Sequence, residues 1–233
     1  MTLCYDMIME YRRRRVITMF LLAGIIIIVL AIYAAWQLAQ SSHSPQGNGE
    51  ALVALEALPV KGRAPKTGYA RSQFGAGWAT TSGCDTRNII LARDLKQAVV
   101  NGNCKVASGQ LDDPYTGKRI TFQRGSGTST AVQIDHVVAL SNAWQTGAQQ
   151  LSSEQRQQLA NDPLELLAVD GPANQQKGDG DAATWLPSHK PFRCQYIARQ
   201  IAIKRKYHLW VTTGEKAAMQ RVLATCPGQG VPG

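Results

Sequence analysis

Two stretches of the chain decide the fold: QIDHVVAL at residues 133–140 and LLAVDGPANQQKGDGDAATWLP at residues 166–187. The β-branched residues of the first stretch predict a strand over Val132–Val138, and Glu165–Val169 is a second, buried strand candidate. The segment GPANQQKGD then forms a turn that enters a helix, and Asn174 lies at the start of that helix. The sequence therefore predicts two strands and a helix in this order.

The tripeptide Ile134-Asp135-His136 ends the first strand candidate and carries groups suited to catalysis. A neutral imidazole with a pKa of about 6.5 is a natural general base at neutral pH. Adjacent residues of a strand point to opposite faces, so Asp135 is not expected to orient the ring of His136. Its carboxylate could instead bind a hard cation, and the amide oxygen of Asn174 could complete that site. The alternative is a surface Asp-His pair with a helix-capping asparagine.

Taken together, these stretches resemble the HNH (His-Me finger) endonuclease superfamily. More narrowly, they resemble exported actinobacterial proteins related to the C-terminal domain of GmrSD-type restriction enzymes. The resemblance extends over about residues 58–226 and includes CDTRN at 84–88, DPYTG at 113–117 and the helix around Arg199. It implies an α+β fold whose ββα-metal core contains the strand ending at His136, the second strand and the following helix. Additional helices surround this core.

The resemblance also implies a role for individual residues. His136 would be the general base, and Asp135 and Asn174 would hold one divalent metal, Mg²⁺ or alternatively Mn²⁺. Lys177 lies one helical turn beyond Asn174, where it either reaches a phosphate or is a solvated lysine. The family usually has a second asparagine nine residues before the metal-binding one, and Glu165 replaces it here. This carboxylate either substitutes as the brace of the loop behind the base or weakens the site.

The charge distribution favours a polyanionic partner. The chain has 233 residues and a net charge of +9, and its hydrophobic content of 44% excludes wholesale disorder. No carboxylate occurs between Asp181 and Glu215, and phosphate contacts from this segment would give affinity without sequence specificity. The predicted partner is DNA, or alternatively RNA, while acidic lipid or wall polymer is the competing interpretation. The candidate nucleic-acid contacts are Lys190, Arg193, Arg199, Lys204, Arg205 and Lys206.

The N-terminal part predicts membrane insertion. Residues 16–36 carry no charge, and four arginines precede them directly, so a transmembrane helix is expected over 16–38 with residues 1–15 in the cytoplasm. A linker over 39–65 and a nuclease-like domain over 66–228 would follow outside. A cleaved signal peptide is the alternative, and the protein would then be secreted.

Four cysteines of the exported part allow three pairings. Proximity in the sequence favours Cys84 with Cys104 and Cys194 with Cys226. A zinc site is the rival interpretation, but the chain has no CxxC pair and no histidine near a cysteine at ligand spacing. The cysteines therefore predict two disulfides.

Local patterns predict the remaining elements. We expect an amphipathic helix over Asn88–Val100, a strand over Ile120–Gln123 and a helix over Lys190–His208. Capping boxes predict two further helices, which begin after Ser152 and Thr212.

Two functions are consistent with these features. The first is a membrane-anchored or secreted metal-dependent endonuclease that hydrolyses phosphodiester bonds with little sequence specificity. The second is a non-catalytic envelope protein that binds nucleic acid or an anionic cell-wall polymer. Asp135, His136 and Asn174 favour the first function, whereas Glu165 keeps the second open.

Overall fold

Seven α-helices and seven strands are present in residues 49–233, the part of the chain that the computed structural model describes. The helices are α1 (Glu50–Ala57), α2 (Thr86–Asp94), α3 (Leu140–Gln145), α4 (Ser153–Asn161), α5 (Gly171–Lys177), α6 (Arg193–Lys206) and α7 (Thr213–Leu223). The strands are β1 (Thr80–Thr81), β2 (Cys84–Asp85), β3 (Lys96–Asn101), β4 (Lys105–Asp112), β5 (Arg119–Gln123), β6 (Val132–His136) and β7 (Leu166–Asp170). The predicted α+β class is confirmed.

Strands β6 and β7 form an antiparallel pair in which His136 lies opposite Leu166 and Val132 lies opposite Asp170. Helix α5 begins directly after β7, so the predicted order of two strands and a helix is present. The start of α5 lies very close to the turn before β6, because a Cβ atom on Gly171 would lie 2.1 Å from the carbonyl oxygen of Thr130. Only glycine permits this approach. A separate antiparallel sheet has the strand order β3-β4-β5, and β1 pairs with β2.

Strand β7 is buried on both faces, which fixes the pair in the middle of the fold. Leu167 and Val169 belong to an apolar cluster with α1, α6 and α7. Leu166 and Ala168 belong to a different cluster beneath the three-stranded sheet and α2. A third cluster surrounds Trp144 between α3, α4 and α6. Because side chains alternate along a strand, one short strand can connect two of these clusters.

The helix predicted over Asn88–Val100 is wrong in its second half. Helix α2 ends at Asp94, and the chain continues as the edge strand β3. The side chain of Asp85 caps α2 by accepting a hydrogen bond from the Asn88 backbone N–H at 2.7 Å, so the helix begins earlier than predicted. Val99 and Val100 then pair with β4, a strand that the sequence analysis did not predict. β-Branched residues favour this pairing over a longer helix.

Both predicted capping boxes are confirmed, at Ser152–Gln155 and Thr212–Glu215. The strand predicted over Ile120–Gln123 corresponds to β5. The helix predicted over Lys190–His208 is present as a short 3₁₀ turn followed by α6.

The segment predicted as a linker over 39–65 contains helix α1. Ala51 and Leu55 of this helix are fully buried and pack against α6 and α7. The folded unit therefore begins at or before Glu50. The predicted cytoplasmic segment 1–15 and transmembrane helix 16–38 lie outside the described residues. Between residues 49 and 233, no helix is long and apolar enough to cross a bilayer.

The two predicted disulfides are confirmed. Cys84 and Cys104 join the start of α2 to the turn between β3 and β4, with their Cα atoms 5.4 Å apart. Cys194 and Cys226 join the start of α6 to the segment after α7, with a Cα separation of 6.4 Å. Such bonds are typical of an oxidising compartment.

Reduction of the disulfides is expected to lower the melting temperature. Each bond closes a loop, of 20 and 32 residues, and its removal should lower the free energy of unfolding by up to about 3 kcal/mol. Thermal unfolding of oxidised protein and of reduced, alkylated protein would measure this difference. Non-reducing peptide mapping serves as the control and should recover only these two links. A link between Cys84 and Cys194 would contradict the structure.

Candidate functional site

The end of β6 presents Asp135 and His136 on opposite faces, as predicted. The carboxylate of Asp135 faces α5 and is buried. Lys177 donates to both of its oxygens, at 2.9 Å to Oδ1 and 2.7 Å to Oδ2. The hydroxyl of Tyr115 also donates to Oδ2. Asp135 is therefore held by an ion pair and a second hydrogen bond.

Lys177 neither extends into solvent nor reaches outward toward a phosphate. Its side chain is fully buried, and Nζ also donates to the His136 backbone carbonyl at 2.6 Å. Helix α5 thus binds the last two residues of β6 through one ammonium group. Loss of one partner from a buried ion pair typically costs about 3–5 kcal/mol, so this contact is a strong constraint.

Tyr115 belongs to the turn formed by the DPYTG motif, which the resemblance included without a role for this residue. Asp113 closes that turn by accepting from the Thr116 backbone N–H at 2.7 Å, and it also accepts from the Asp170 backbone N–H at 2.8 Å. Burial, followed by the charge of Asp135, raises the pKa of Tyr115 well above its usual value of 10.0. Tyr115 therefore remains a proton donor to Asp135.

The ring of His136 lies on the other face of β6, stacked on Trp78 with centroids 5.7 Å apart. Its Nε2 atom lies 2.9 Å from the backbone oxygen of Ala160. A carbonyl can only accept, so Nε2 carries the proton in the neutral ring and Nδ1 keeps its lone pair. Burial, followed by the positive charge of Arg71, lowers the pKa of His136 to about 3. The ring is consequently neutral at physiological pH.

Asn174 projects from α5 toward β6. Its Nδ2 group donates to Oε1 of Gln133 at 2.9 Å, so the amide oxygen of Asn174 does not take part in this bond. Gln133 precedes Asp135 by two residues and shares its face of the strand. The amide oxygen of Asn174 and the carboxylate of Asp135 therefore belong to the same side of β6.

Glu165 contacts the segment that follows His136. Its backbone oxygen accepts from the Val137 N–H at 2.8 Å, and its Oε2 accepts from the Val138 N–H at 3.2 Å. The side chain is fully buried, and this burial raises the pKa of Glu165 well above 4.5. A protonated carboxyl offers an acceptor oxygen and a donor group, as would the carboxamide of the asparagine that the resemblance implies at this position.

One cavity of about 810 Å³ brings Asp135, His136 and Asn174 together. Its other titratable lining residues are Tyr69, Asp179 and four cations, namely Lys66, Arg71, Arg87 and Arg124. Lys66 forms a salt bridge with Asp179 at 2.9 Å. Within residues 49–233, the arginines that form salt bridges are Arg63, Arg93 and Arg119. Three arginines of the cavity thus lack a carboxylate partner in the described part of the chain.

The sequence analysis missed these cavity arginines. Arg87 belongs to the CDTRN motif, which the resemblance included without a role for it. Arg124 follows β5 directly, and Arg71 belongs to a 3₁₀ turn over Arg71–Phe74. Only the folded chain brings the three together, and no spacing in the sequence indicates their proximity.

The predicted nucleic-acid contacts on and near α6 do not line this cavity. Lys204 is fully buried and bonds to Glu215 at 3.0 Å, so the structure does not support it as a nucleic-acid contact. Arg199 donates to the Leu164 carbonyl at 2.5 Å, and Lys206 pairs with Asp162 at 2.6 Å. Arg193 donates to a backbone carbonyl, whereas Lys190 and Arg205 are exposed. Four aromatic residues of this segment, Trp185, Phe192, Tyr196 and Tyr207, contribute to the core.

A divalent cation would find oxygen ligands of suitable type at this site. Within residues 49–233, Asp135 Oδ1 accepts one hydrogen bond, and Asn174, whose amide oxygen is not used in its bond to Gln133, lines the same cavity. Both are hard ligands that suit Mg²⁺. In the described ranges, however, no group of three or more His, Cys, Asp or Glu residues could hold a metal ion. The charge of Lys177 also offsets that of Asp135, so these residues alone provide a weak site.

A neutral imidazole, a carboxylate and a carboxamide in an arginine-rich cavity define a site for an anionic, phosphate-bearing substrate. Residues 85–222 match the family described as "GmrSD restriction endonucleases, C-terminal domain", and the chain belongs to this family. Over 175 aligned residues the chain is 40% identical to an "Uncharacterized secreted protein" of Arthroderma benhamiae. The alignment covers 74% of this chain and 82% of that protein. No solved structure matches the chain.

The buried carboxyl of Glu165 predicts a specific pH dependence of stability. Above pH 4.5 the unfolded chain loses this proton while the folded protein keeps it, so rising pH destabilises the fold until the raised pKa is reached. The contribution of this group is about 1.4 kcal/mol per pH unit at most. Glu165→Gln removes the titration and keeps the shape. The melting temperature of this variant minus that of the parent should therefore increase as pH rises from about 4.5 toward neutrality. A difference that stays constant with pH would show that Glu165 is charged in the folded protein.

Proposed function

We propose that this protein is a metal-dependent endonuclease that hydrolyses phosphodiester bonds of DNA, with RNA as a second substrate. The observation that carries the proposal is that one cavity is lined by His136, Asn174 and three arginines that have no carboxylate partner within residues 49–233. No base-reading module accompanies this cavity in the sequence. Cleavage with little sequence specificity follows, because the arginines would contact phosphates rather than bases.

His136 is the proposed general base. Its Nε2–H bond to Ala160 fixes the tautomer, and its stacking on Trp78 fixes the plane of the ring. Nδ1 is therefore the atom that would accept a proton from the attacking water. A base works best when its pKa lies near the working pH, and the low pKa of about 3 is a disadvantage. A substrate phosphate beside Arg71 would offset the positive charge of that residue and raise the pKa.

The proposed metal ligands are Asp135 and Asn174, and Mg²⁺ is the expected ion, with Mn²⁺ as the alternative. When bound, the metal would supply Lewis-acid stabilisation of negative charge on the phosphate oxygens. Lys177 and Tyr115 hold Asp135 in place, and Gln133 holds Asn174. Because Lys177 balances the charge of Asp135, phosphate from the substrate is needed to strengthen metal binding.

Glu165 is proposed to support the base. It holds two successive backbone N–H groups, those of Val137 and Val138, directly after His136. In its neutral form it would replace the family asparagine without leaving a buried charge. The replacement is then compatible with catalysis.

The proposed place of action is outside the cell. Two disulfides support export, and the relative in Arthroderma benhamiae is called a secreted protein. The hydrophobic segment 16–38 would anchor the protein in the membrane with the catalytic domain outside. If the segment is cleaved, the same domain would be released.

Replacement of His136 by Ala tests the base. Plasmid cleavage with Mg²⁺ or Mn²⁺ should fall by about 10² or more, while the protein remains folded at the assay temperature and DNA binding changes little. The melting temperature should fall, because the buried ring and its bond to Ala160 are lost. His208→Asn is the matched control, because His208 is exposed, lies outside the cavity and has a φ of 54° that asparagine tolerates. Equal rates for parent and His136→Ala would remove His136 as the base. DNA binding by a parent that never cleaves would favour the non-catalytic function.

Two substitutions test the metal ligands. Asp135→Asn keeps an acceptor for Lys177 but removes the charge, and it should abolish cleavage. It should also lower the melting temperature, because Lys177 is left buried without its counter-charge, so cleavage is compared at a temperature where the variant is folded. Asn174→Ala should reduce the cleavage rate less than Asp135→Asn does, and a higher metal concentration should restore part of the rate. Asn174→Asp should reach its full rate at a lower metal concentration than Asn174→Ala. Cleavage rates measured over a metal titration test this ranking of the variants. Undiminished cleavage by the parent in excess chelator would contradict metal dependence.

A further inference from the structure

The CDTRN motif at residues 84–88 builds one wall of the cavity. Cys84 is fixed by its disulfide, and Asp85 caps α2 and accepts from the Asn88 side chain at 2.8 Å. The Asn88 Oδ1 atom then accepts from the Val106 backbone N–H at 3.0 Å and from an Arg124 guanidinium nitrogen at 2.5 Å. Consecutive hydrogen bonds from Asp85 to Asn88 and from Asn88 to Arg124 thus position Arg124, which lies more than thirty residues after the CDTRN motif.

Arg87, from the same motif, lies on this wall as well. One of its guanidinium nitrogens lies 3.5 Å from the Ser129 carbonyl and 3.4 Å from the Val132 carbonyl. Its other terminal nitrogen is buried without a hydrogen-bond partner within residues 49–233. The guanidinium lies over the ring of Phe122, 6.0 Å from the centroid. Packing therefore directs Arg87 toward the cavity while leaving it short of acceptors.

Arg87 and Arg124 both line the cavity, and the charge of Arg124 acts on Arg87. Burial, followed by the charge of Arg124, lowers the pKa of Arg87, and Asp85 offsets this effect only in part. Two like charges in a partly buried wall are unfavourable unless an anion binds between them. A planar guanidinium fork fits phosphate oxygens well.

We propose that Arg87 and Arg124 form a subsite that binds a second phosphodiester of the substrate chain, distinct from the one cleaved at His136. This inference rests on the proposed nuclease function and specifies how the polynucleotide is held. Arg87 contacts Val132 at the start of β6, whereas His136 ends that strand. The two strand ends are separated by about 13 Å at about 3.3 Å per residue, so a second phosphate is required.

A comparison of two substrates tests the subsite in the full chain. An oligonucleotide can occupy both sites, whereas bis(4-nitrophenyl) phosphate has a single phosphodiester and can occupy only the site at His136. Arg87→Gln and Arg124→Gln should each raise KM for the oligonucleotide about tenfold or more, with kcat nearly unchanged. Hydrolysis of the small diester should not change. Arg87→Lys should keep part of the affinity because it keeps the charge.

The control is Arg119→Gln, which removes the same charge from an exposed residue of β5 that does not line the cavity. It should leave both substrates unaffected. Each cavity variant should also reduce the salt slope of oligonucleotide binding by about 0.7 for single strands. Equal losses on both substrates would overturn the subsite and make the arginines structural. Unchanged KM for the oligonucleotide would overturn it as well.

Binding without turnover separates this subsite from the nuclease proposal. In excess chelator, anisotropy of a short fluorescent oligonucleotide should report weaker binding for Arg87→Gln and Arg124→Gln than for Arg119→Gln. This result in a protein that never cleaves would retain the subsite and reject the endonuclease. If the parent cleaves and both variants bind the oligonucleotide as tightly as the parent does, the endonuclease proposal is retained and the subsite is rejected.

Discussion

The contact between Lys177 and Asp135 is the constraint on which the site depends. It joins the end of α5 to the end of β6, and the same ammonium holds the backbone of His136. Because the pair is buried, loss of either charge would leave the other without compensation. The position of His136, the orientation of the proposed ligands and the packing of the helix on the strands are thus coupled. Asp135 can contribute to the chemistry only from within this ion pair.

The two buried carboxyl groups near His136, those of Asp135 and Glu165, differ in the groups that donate hydrogen bonds to them. Asp135 receives hydrogen bonds from an ammonium and a hydroxyl. Glu165 receives one from a backbone N–H, and burial raises its pKa. The first group is held as an ion-pair partner, and burial favours the neutral form of the second. In the role proposed for Glu165, the exclusion of water is what would let a glutamate stand where the resemblance implies an asparagine.

The features that the sequence predicted depend on neighbours along the chain. The capping boxes, the Asp-His strand end and the helix of Asn174 are local patterns, and close sequence spacing favoured the correct disulfide pairs. The prediction failed for β3, because an edge strand is chosen by its pairing with β4 rather than by its own periodicity. The partner of Lys177 and the meeting of Arg87 with Arg124 arise from tertiary packing. The buried state of Lys204 has the same origin, since its partner Glu215 lies on the next helix.

The bond between Cys84 and Cys104 has a consequence for the cell that makes the protein. It fixes the residue directly before Asp85, from which the bonded chain to Arg124 begins. In a reducing cytoplasm these two thiols remain unpaired, and the wall that carries the arginines loses one of its anchors. If the protein is exported as proposed, oxidation outside the cytoplasm would form the bond and restore that anchor. A protein that cleaves nucleic acid would then be least well organised while it is close to the genome of the cell that makes it.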